Sequence, residues 1–258
     1  MEGVGGPGAL AGLTGASVEG FVVRYAARSA PGTARTMTTG LRVFLAWAFQ
    51  MGWTVAGLDS AVPTVAAWRG AAVPKALAPG VVDAVLAGAG RGRDGLRDVA
   101  AVLLMARLGL RGVEVARLRL GDVDWSSGAL AVRGKGDRVE ELPLPVDVGE
   151  AVAAYLCRRP ASADGVREVF TWGDPGRGLS SDQVRDLTRR ACEAGGVAPF
   201  GTHRLRHTLA TSMLAAGVGL EGIGQVLRHR SMASTAVYAK CDLASLVRVA
   251  RQWPGAGR

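Results

Sequence analysis

The sequence contains few cysteines and no long apolar run. Its three cysteines, Cys157, Cys192 and Cys241, are odd in number and widely separated. They form neither a disulfide framework nor a Cys-x-x-Cys metal site, which favours a reducing compartment. No stretch approaches the roughly 18 to 20 apolar residues of a membrane span, and the glycine-rich start lacks the basic head and apolar run of a signal peptide. We therefore expect a soluble, unexported protein with no membrane partner.

Acidic residues are outnumbered by basic ones. The chain has 31 Lys plus Arg against 22 Asp plus Glu, for a net charge of +9, and from residue 73 onwards the count is 26 against 19. A basic chain of this size most often binds a polyanion, and nucleic acid is the first candidate. The alternative is that arginine is the solubilising residue of a GC-rich genome, because Ala, Gly, Val and Arg dominate the composition. Charge alone leaves both interpretations open.

The length and composition predict two globular domains of unequal size. Hydrophobic residues make up 48% of the 258 residues and charged residues 21%, a balance that supports a folded core and excludes a disordered chain. A proline-containing stretch at 63–79 interrupts the helical periodicity. We place the domain boundary near residue 72, which gives a small helical domain at 1–72, a linker at 73–79 and a larger domain at 80–258.

Hydrophobic periodicity predicts a mainly α protein with one small antiparallel β-sheet, an α+β fold. Between residues 129 and 142 the pattern alternates on both sides of Gly134-Lys135-Gly136-Asp137, which predicts a β-hairpin with a lysine at its tip. Helical spacing predicts helices at 17–27, 33–51, 64–68, 80–89, 97–108, 113–118, 148–157, 181–194, 204–216, 220–227, 234–238 and 241–253.

The histidines and several arginines cluster in one short window. All three histidines, His203, His207 and His229, lie within 27 residues that also contain Arg204, Arg206 and Arg228, and Arg230 follows directly. His203 and His207 have the i, i+4 spacing of a helical zinc pair, but no Glu follows the first histidine and the surrounding guanidinium groups oppose a cation. We therefore expect no metal. Taken singly, each histidine could equally cap a helix or pack against one.

Guanidinium and imidazole groups without a carboxylate cluster suit a phosphodiester, whose negative charge rises in the transition state. A nucleophile is then needed. Thr208 and Ser212 are candidates, but neither has an evident base beside it. Tyr238 lies nine residues after His229, and nearby cations would lower the pKa of its phenol from about 10. On the pattern alone, Tyr238 is better interpreted as an amphipathic-helix residue with its hydroxyl at the surface.

Several motifs occur together in one order. Arg111 and Glu114 lie in Leu-Gly-Leu-Arg-Gly-Val-Glu, and they are followed by the Gly134-Lys135-Gly136 turn, by His203-Arg-Leu-Arg206-His207, by Leu-Arg-His229 and by Tyr238. In this order and spacing, the chain from about Pro74 to beyond Tyr238 resembles the tyrosine recombinase (phage integrase) family. The resemblance implies the catalytic residues Arg111, Lys135, His203, Arg206, His229 and the nucleophile Tyr238, with Glu114 and His207 in supporting positions.

The resemblance also implies an enzyme, a site-specific DNA recombinase or integrase, that needs no cofactor, ATP or metal. Tyr238 would attack a DNA phosphodiester and form a 3′-phosphotyrosyl bond, while Arg111 and Arg206 clamp the non-bridging oxygens. Lys135 would protonate the 5′-oxygen that leaves. His203 would assist proton movement, and His229 would hydrogen-bond the phosphate.

Glu114 would orient Arg111 from one helical turn away, or lie at the surface as an ordinary glutamate of a helix start. His207 would support the pocket or pack against it rather than act as a catalyst.

The family resemblance implies double-stranded DNA as partner, a tetramer on DNA, and a location at the nucleoid of the bacterial cytoplasm. Residues 1–72 resemble only part of the family's helical core-binding domain, so we expect that domain to be incomplete. The helix at 241–253 would either join neighbouring subunits or dock within its own chain. Alternatives are a type IB topoisomerase and a non-catalytic DNA-binding regulator derived from an integrase.

Overall fold

The computed structural model describes residues 10, 12–55, 57–65, 76–134, 138–159, 165–228, 235 and 238. The chain divides into two compact units, Met1–Ala72 and Val73–Arg258. Within the described residues, no helix is long and apolar enough to cross a membrane.

The first unit contains two helices, α1 (Gly15–Arg28) and α2 (Pro31–Gln50). A capping box begins α1, because Thr14 and Ser17 each accept the other's backbone N–H. A proline at the first position begins α2, where its missing N–H costs no hydrogen bond. The two helices share a small core made of Val18, Val22, Leu45, Leu58 and Val62.

The third helix predicted for the first unit, at 64–68, differs from the structure at its start. Thr64 and Val65 are not helical, and the remainder of that prediction lies outside the described residues. Arg42 on α2 donates to the carbonyl oxygens of Val62 and Pro63 at 2.9 and 3.1 Å, which ties this segment to the helix. These hydrogen bonds hold the chain just before Thr64 against α2.

The second unit is mainly helical, with two small antiparallel sheets among its described residues. Its elements in chain order are α3 (Val81–Gly90), α4 (Gly95–Arg107), α5 (Gly112–Ala116), a 3₁₀ turn (Leu120–Asp122), β1 (Val123–Asp124), β2 (Ala129–Arg133), β3 (Val139–Pro143), α6 (Val146–Arg158), β4 (Thr171–Trp172), β5 (Asp174–Gly178), α7 (Ser181–Ala194), α8 (His203–Ala215) and α9 (Leu220–Val226).

Helix α4 forms the centre of this unit. Its residues Ala100, Ala101, Val102, Leu104 and Met105 are completely buried, and it packs against α3, α6, α7 and α8. A helix with apolar side chains around its circumference belongs inside a core rather than at its edge. The rigid end of α4 therefore fixes the position of the turn that follows it and of the residues that the turn carries.

The predicted hairpin is present as β2 and β3, which pair in antiparallel register, with Leu130 opposite Leu142. The short strand β1 adds to the other edge of β2. Gly134 donates its N–H to the Arg138 carbonyl at 2.8 Å, which closes the ladder below the tip. Lys135 lies outside the described residues. The prediction of a mainly α fold with a small antiparallel sheet is confirmed.

The prediction of a single sheet was wrong. Strands β4 and β5 form a second, two-stranded sheet in which Thr171 lies opposite Gly178. Their segment contains a proline and three glycines, Gly173, Gly176 and Gly178. Because these residues interrupt the alternation of apolar and polar positions, no strand pattern is visible in the sequence there.

Candidate active site

Three parts of the second unit bring charged side chains together. The turn after α4 carries Arg111 and leads directly into α5, which carries Glu114. Helix α8 carries Arg206 and His207 on its first turns. Arg228 follows the end of α9. These three segments are distant in sequence, so the pocket that they form depends on the packing of α4, α8 and α9 around it.

Glu114 holds Arg111 in place at the start of α5. Its carboxylate accepts the Arg111 backbone N–H at 2.8 Å and the Arg111 guanidinium at 2.6 Å. Burial by itself would raise the pKa of Glu114, but the hydrogen bonds from Arg111 and the charge of Arg228 outweigh it and keep the pKa below its usual value. Glu114 is therefore ionised at neutral pH. Arg111 remains accessible, because 34% of its side chain is exposed.

Arg206 is buried against backbone carbonyls. Its guanidinium donates to the Gly109 carbonyl at 2.6 Å and to the Leu227 carbonyl. Gly109 has a φ of +61°, and a Cβ at this position would lie 2.6 Å from the Leu227 side chain. Any other residue there would have a strained backbone and would have to displace the Leu227 side chain. The turn thus depends on Gly109 both for its shape and for the carbonyl that positions Arg206.

The described part of the pocket carries more positive than negative charge. Three guanidinium groups, those of Arg111, Arg206 and Arg228, lie near one another around the single carboxylate of Glu114. Burial, with the charges of Arg111 and Arg228, lowers the pKa of Arg206 to about 10. Arg206 is still charged at neutral pH, but its charge is destabilised. An anion in the pocket would relieve that repulsion, and arginines bind phosphate oxygens through paired N–H groups.

Tyr238 is buried with its hydroxyl in contact with His207. The hydroxyl lies 2.7 Å from Nδ1 of His207, and the tyrosine is only 2% exposed, in a cluster with Ala210, Ile223 and Leu227. Burial, with the charges of His203 and Arg206, lowers the pKa of His207 below its usual value. The imidazole is therefore neutral at pH 7, and with its proton on Nε2 it can accept the phenolic proton at Nδ1.

The structure brings together five of the residues that the sequence singled out: Arg111, Glu114, Arg206, His207 and Tyr238. His203 is the first residue of α8 and is exposed. Lys135 and His229 lie outside the described residues.

The two alternative nucleophiles lie in other surroundings. The Thr208 hydroxyl donates to the Arg204 carbonyl and accepts the Leu77 N–H, which gives it a structural role. Ser212 is exposed on α8.

Two contacts in the pocket were not foreseen. The sequence placed His207 in a supporting or packing position, but its ring touches the tyrosine hydroxyl across a separation of 31 residues. Arg228 was named only as part of an arginine-rich window, whereas its guanidinium is paired with Glu114 in the structure. No local pattern signals such pairs, because they arise from the packing of α8 and α9 near α5. Among the described residues, no group of three or more His, Cys, Asp or Glu could hold a metal ion.

The described pocket thus holds a buried tyrosine hydroxyl near arginines, on a helical fold with a small hairpin sheet. The chain matches the phage integrase family over residues 75–244, and it belongs to that family.

Relatives support the same family. The chain is 43% identical over 252 residues to a Sinorhizobium fredii protein named as an integrase/recombinase, y4rA, covering 95% of this chain and 61% of the relative. It is 32% identical over 232 residues to tyrosine recombinase XerC of Mycobacterium sp. (strain KMS), covering 85% and 77%. The chain thus spans about three fifths of the length of y4rA.

Solved structures share the fold. XerH recombinase bound to a palindromic difH substrate superimposes with a TM-score of 0.70 at 16% identity, covering 92% of this chain and 71% of that one. The Tn1549 transposon integrase in complex with circular intermediate DNA gives a TM-score of 0.68 at 14% identity, covering 92% and 85%.

Proposed function

We propose that this chain is a site-specific DNA recombinase of the integrase type, which cleaves and rejoins DNA strands through a 3′-phosphotyrosyl intermediate. The observation that carries the proposal is the contact between the Tyr238 hydroxyl and His207, beside the buried arginine cluster. This contact supports a reaction in which Tyr238 is the nucleophile, His207 the proton acceptor and the arginine cluster the site for a phosphate.

In the proposed step, the Tyr238 oxygen attacks the phosphorus of a DNA phosphodiester. The phosphorus–5′-oxygen bond breaks, which leaves a 3′-phosphotyrosyl bond and a free 5′-hydroxyl. We assign the phenolic proton to His207 Nδ1, with His203 one helical turn away to pass it on. Lys135 supplies the proton to the leaving 5′-oxygen, and His229 hydrogen-bonds the phosphate. Attack by the 5′-hydroxyl of a second strand reverses the step, and because one phosphate ester replaces another, no ATP is consumed.

The arginines stabilise the charge that develops on the non-bridging oxygens. Arg206 uses two of its N–H groups on the carbonyls of Gly109 and Leu227, so three of its five remain to donate within the described pocket. Arg111 approaches from the exposed side. Fixed donors of this kind act without reorganising during the reaction, and the loss of one typically lowers the rate by about 10²- to 10³-fold.

The Tyr238 hydroxyl has to become accessible before it can react. Because only 2% of the residue is exposed, the proposed reaction requires a movement that exposes the oxygen to the phosphodiester.

Double-stranded DNA is the proposed partner. The unit Met1–Ala72 would act as a helical core-binding domain, and the segment 241–253, outside the described residues, would join the subunits of a tetramer. The net charge of +9 and the similar Tn1549 integrase structure in complex with DNA support this proposal.

Covalent trapping on DNA tests the proposed reaction. The purified chain is incubated with labelled duplexes that tile the DNA flanking its own gene, and the reaction is stopped with detergent. We expect a DNA fragment that is covalently linked to the protein and migrates more slowly on a denaturing gel, and whose normal migration returns after protease digestion. Tyr238→Phe is the matched control, because it removes one oxygen from a buried ring and should retain DNA binding while forming no adduct.

Three results would contradict the proposal. Adduct formation by Tyr238→Phe would remove the tyrosine from its role. Binding to these duplexes without any adduct would favour the non-catalytic regulator. If the adduct forms, relaxation of supercoiled DNA without exchange between duplexes would favour a topoisomerase.

A further inference from the structure

Arg228 occupies a backbone conformation that ordinarily belongs to glycine. Its φ is +54°, and it is the only non-glycine residue with a positive φ in the part of the chain that the structure describes. It directly follows Leu227, the C-cap of α9, where helices commonly end with a left-handed glycine. An L-residue in this region is strained by contact of its Cβ with the backbone. An arginine here therefore needs a compensating interaction from its side chain.

That interaction is a buried pair with Glu114. The Arg228 guanidinium donates to Glu114 Oε2 at 2.9 Å, and both side chains are 4% exposed. A second N–H group reaches the Val226 carbonyl at 3.1 Å. The Nε atom has no hydrogen-bond partner among the described residues. The guanidinium is thus directed at Glu114, at the expense of one unsatisfied donor and a strained backbone.

Glu114 joins Arg228 to Arg111. One carboxylate oxygen accepts the Arg111 guanidinium, and the other accepts both the Arg111 backbone N–H and Arg228. Because two guanidinium groups share a single negative charge, neither is fully neutralised. Without Arg228, the carboxylate would be compensated by Arg111 alone, which would draw that guanidinium towards Glu114 and weaken its attraction for a phosphate.

We propose that Arg228 is a positioning residue for strand cleavage. Through Glu114 it fixes the position of Arg111 and keeps the positive charge of Arg111 available for a phosphate. This inference rests on the proposed recombinase function. It assigns Arg228 no contact with the reacting atoms, and it requires that the effect of Arg228 pass through the carboxylate of Glu114.

Two matched variants test whether the positive charge of the Arg228 side chain is what matters. Arg228→Ala and Arg228→Lys both retain a Cβ in the left-handed conformation, but only Lys keeps a positive charge for Glu114. At saturating DNA, we expect Arg228→Ala to slow single-turnover adduct formation by on the order of 10- to 100-fold, as for a displaced catalytic group, and Arg228→Lys to recover part of that loss. DNA affinity should change little. Equal rates for the Ala and Lys variants would overturn the proposal.

Arg228→Gly separates positioning from folding. It removes the guanidinium while relieving the backbone strain, so we expect a melting temperature above that of Arg228→Ala and an adduct rate as low as that of Arg228→Ala. A stable Arg228→Gly protein that cleaves as fast as the wild type would refute the role of Arg228.

A double-variant comparison distinguishes an effect through Glu114 from a general structural one. In a Glu114→Gln background the carboxylate that joins Arg228 to Arg111 is absent, so the further change of Arg228 to Ala should slow adduct formation no more. An equal slowing by Arg228→Ala in both backgrounds would contradict the proposal.

A readout without DNA separates failure of this inference from failure of the proposed function. Urea unfolding of the wild type, Arg228→Ala, Glu114→Gln and the double variant gives the coupling between the two side chains. Strong coupling in a protein that forms no adduct would contradict the recombinase function but support the pairing of Arg228 with Glu114. An adduct-forming protein with no coupling would overturn the role of Arg228 alone.

Discussion

At the scale of single residues, His207 links the protonation state of the pocket to the Tyr238 hydroxyl. Its Nδ1 touches the Tyr238 hydroxyl at 2.7 Å, and burial together with nearby positive charge favours the neutral ring. A protonated His207 would donate to the phenol instead of accepting from it. The hydroxyl would then lose its acceptor at the pH at which the ring becomes charged.

The lowered pKa of His207 predicts a pH-dependent stability. The unfolded chain binds a proton on this ring near pH 6.5, whereas the folded protein does so only at lower pH. The free energy of unfolding should therefore fall as the pH drops below about 6.5 and continue to fall until the folded protein also protonates. Above about pH 7.5 the ring is neutral in both states and contributes no slope. Urea unfolding between pH 5 and pH 8 measures this dependence.

His207→Gln and His203→Gln form a control pair for that measurement. Removal of the half-buried ring of His207 should flatten the acid slope of the unfolding free energy, whereas removal of the exposed ring of His203 should leave most of that slope. The same slope in His207→Gln as in the wild type would mean that another group carries the acid sensitivity.

At the scale of elements, α3 and α7 approach closely enough to exclude side chains from their contact. A Cβ on Gly88 of α3 would overlap the Ala191 carbonyl oxygen of α7 and lie 2.5 Å from the Gly195 backbone nitrogen. The two helices also pack against α4, whose C-terminal end leads into the turn that carries Arg111. The close packing of α3 against α7 therefore stabilises the core that lies beneath the candidate site.

Gly88→Ala should destabilise the protein, because neither backbone can yield without moving a helix. We expect a loss of about 1–3 kcal/mol, as for other overpacked cores, and a lower melting temperature. Gly90→Ala is the control on the same helix, since its Cβ would meet only the Val99 side chain, at 3.7 Å. It should leave the melting temperature nearly unchanged. Similar effects of the two substitutions, measured by thermal unfolding, would argue against a backbone clash.

How much of the fold the sequence predicts depends on how local each signal is. The bounds of α7, at 181–194, were predicted without error, because Ser180 and Gln183 form a capping box and the apolar stripe is regular. The hairpin of β2 and β3 was found from its alternation to within one residue. Strands β4 and β5 have no such pattern and were missed.

The candidate site shows the same limit. Motif order named Arg111, Arg206 and Tyr238, but the pairing of Arg228 with Glu114 joins residues 114 positions apart through packing alone. The left-handed backbone conformation of Arg228 could not be predicted either, because an arginine in the sequence does not indicate a positive φ.

At the scale of the whole molecule, the net charge of +9 bears on the proposed binding of DNA. Most of the excess lies from residue 73 onwards, in the unit that carries the arginine pocket. If this charge contacts the DNA backbone, binding releases counterions and weakens steeply with salt. If arginine is present only for solubility, the affinity for a duplex should depend little on salt.

These two explanations of the charge, DNA contact and solubility, are distinguished by measuring the affinity of the full chain for a labelled duplex between 50 and 200 mM salt. The duplex is taken from the DNA that flanks its own gene. Contact with six or more phosphates would weaken the affinity by about 10³-fold or more over this range. Tyr238→Phe should keep the wild-type slope, because its hydroxyl is uncharged. Arg206→Ala should lower the slope of affinity against salt by the equivalent of about one phosphate contact. Its guanidinium uses two N–H groups on the Gly109 and Leu227 carbonyls, so the others can bind a phosphate. A flat dependence in the wild type would leave solubility as the explanation for the arginines outside the pocket, and it would restrict the electrostatic attraction for DNA to the few guanidinium groups around Glu114.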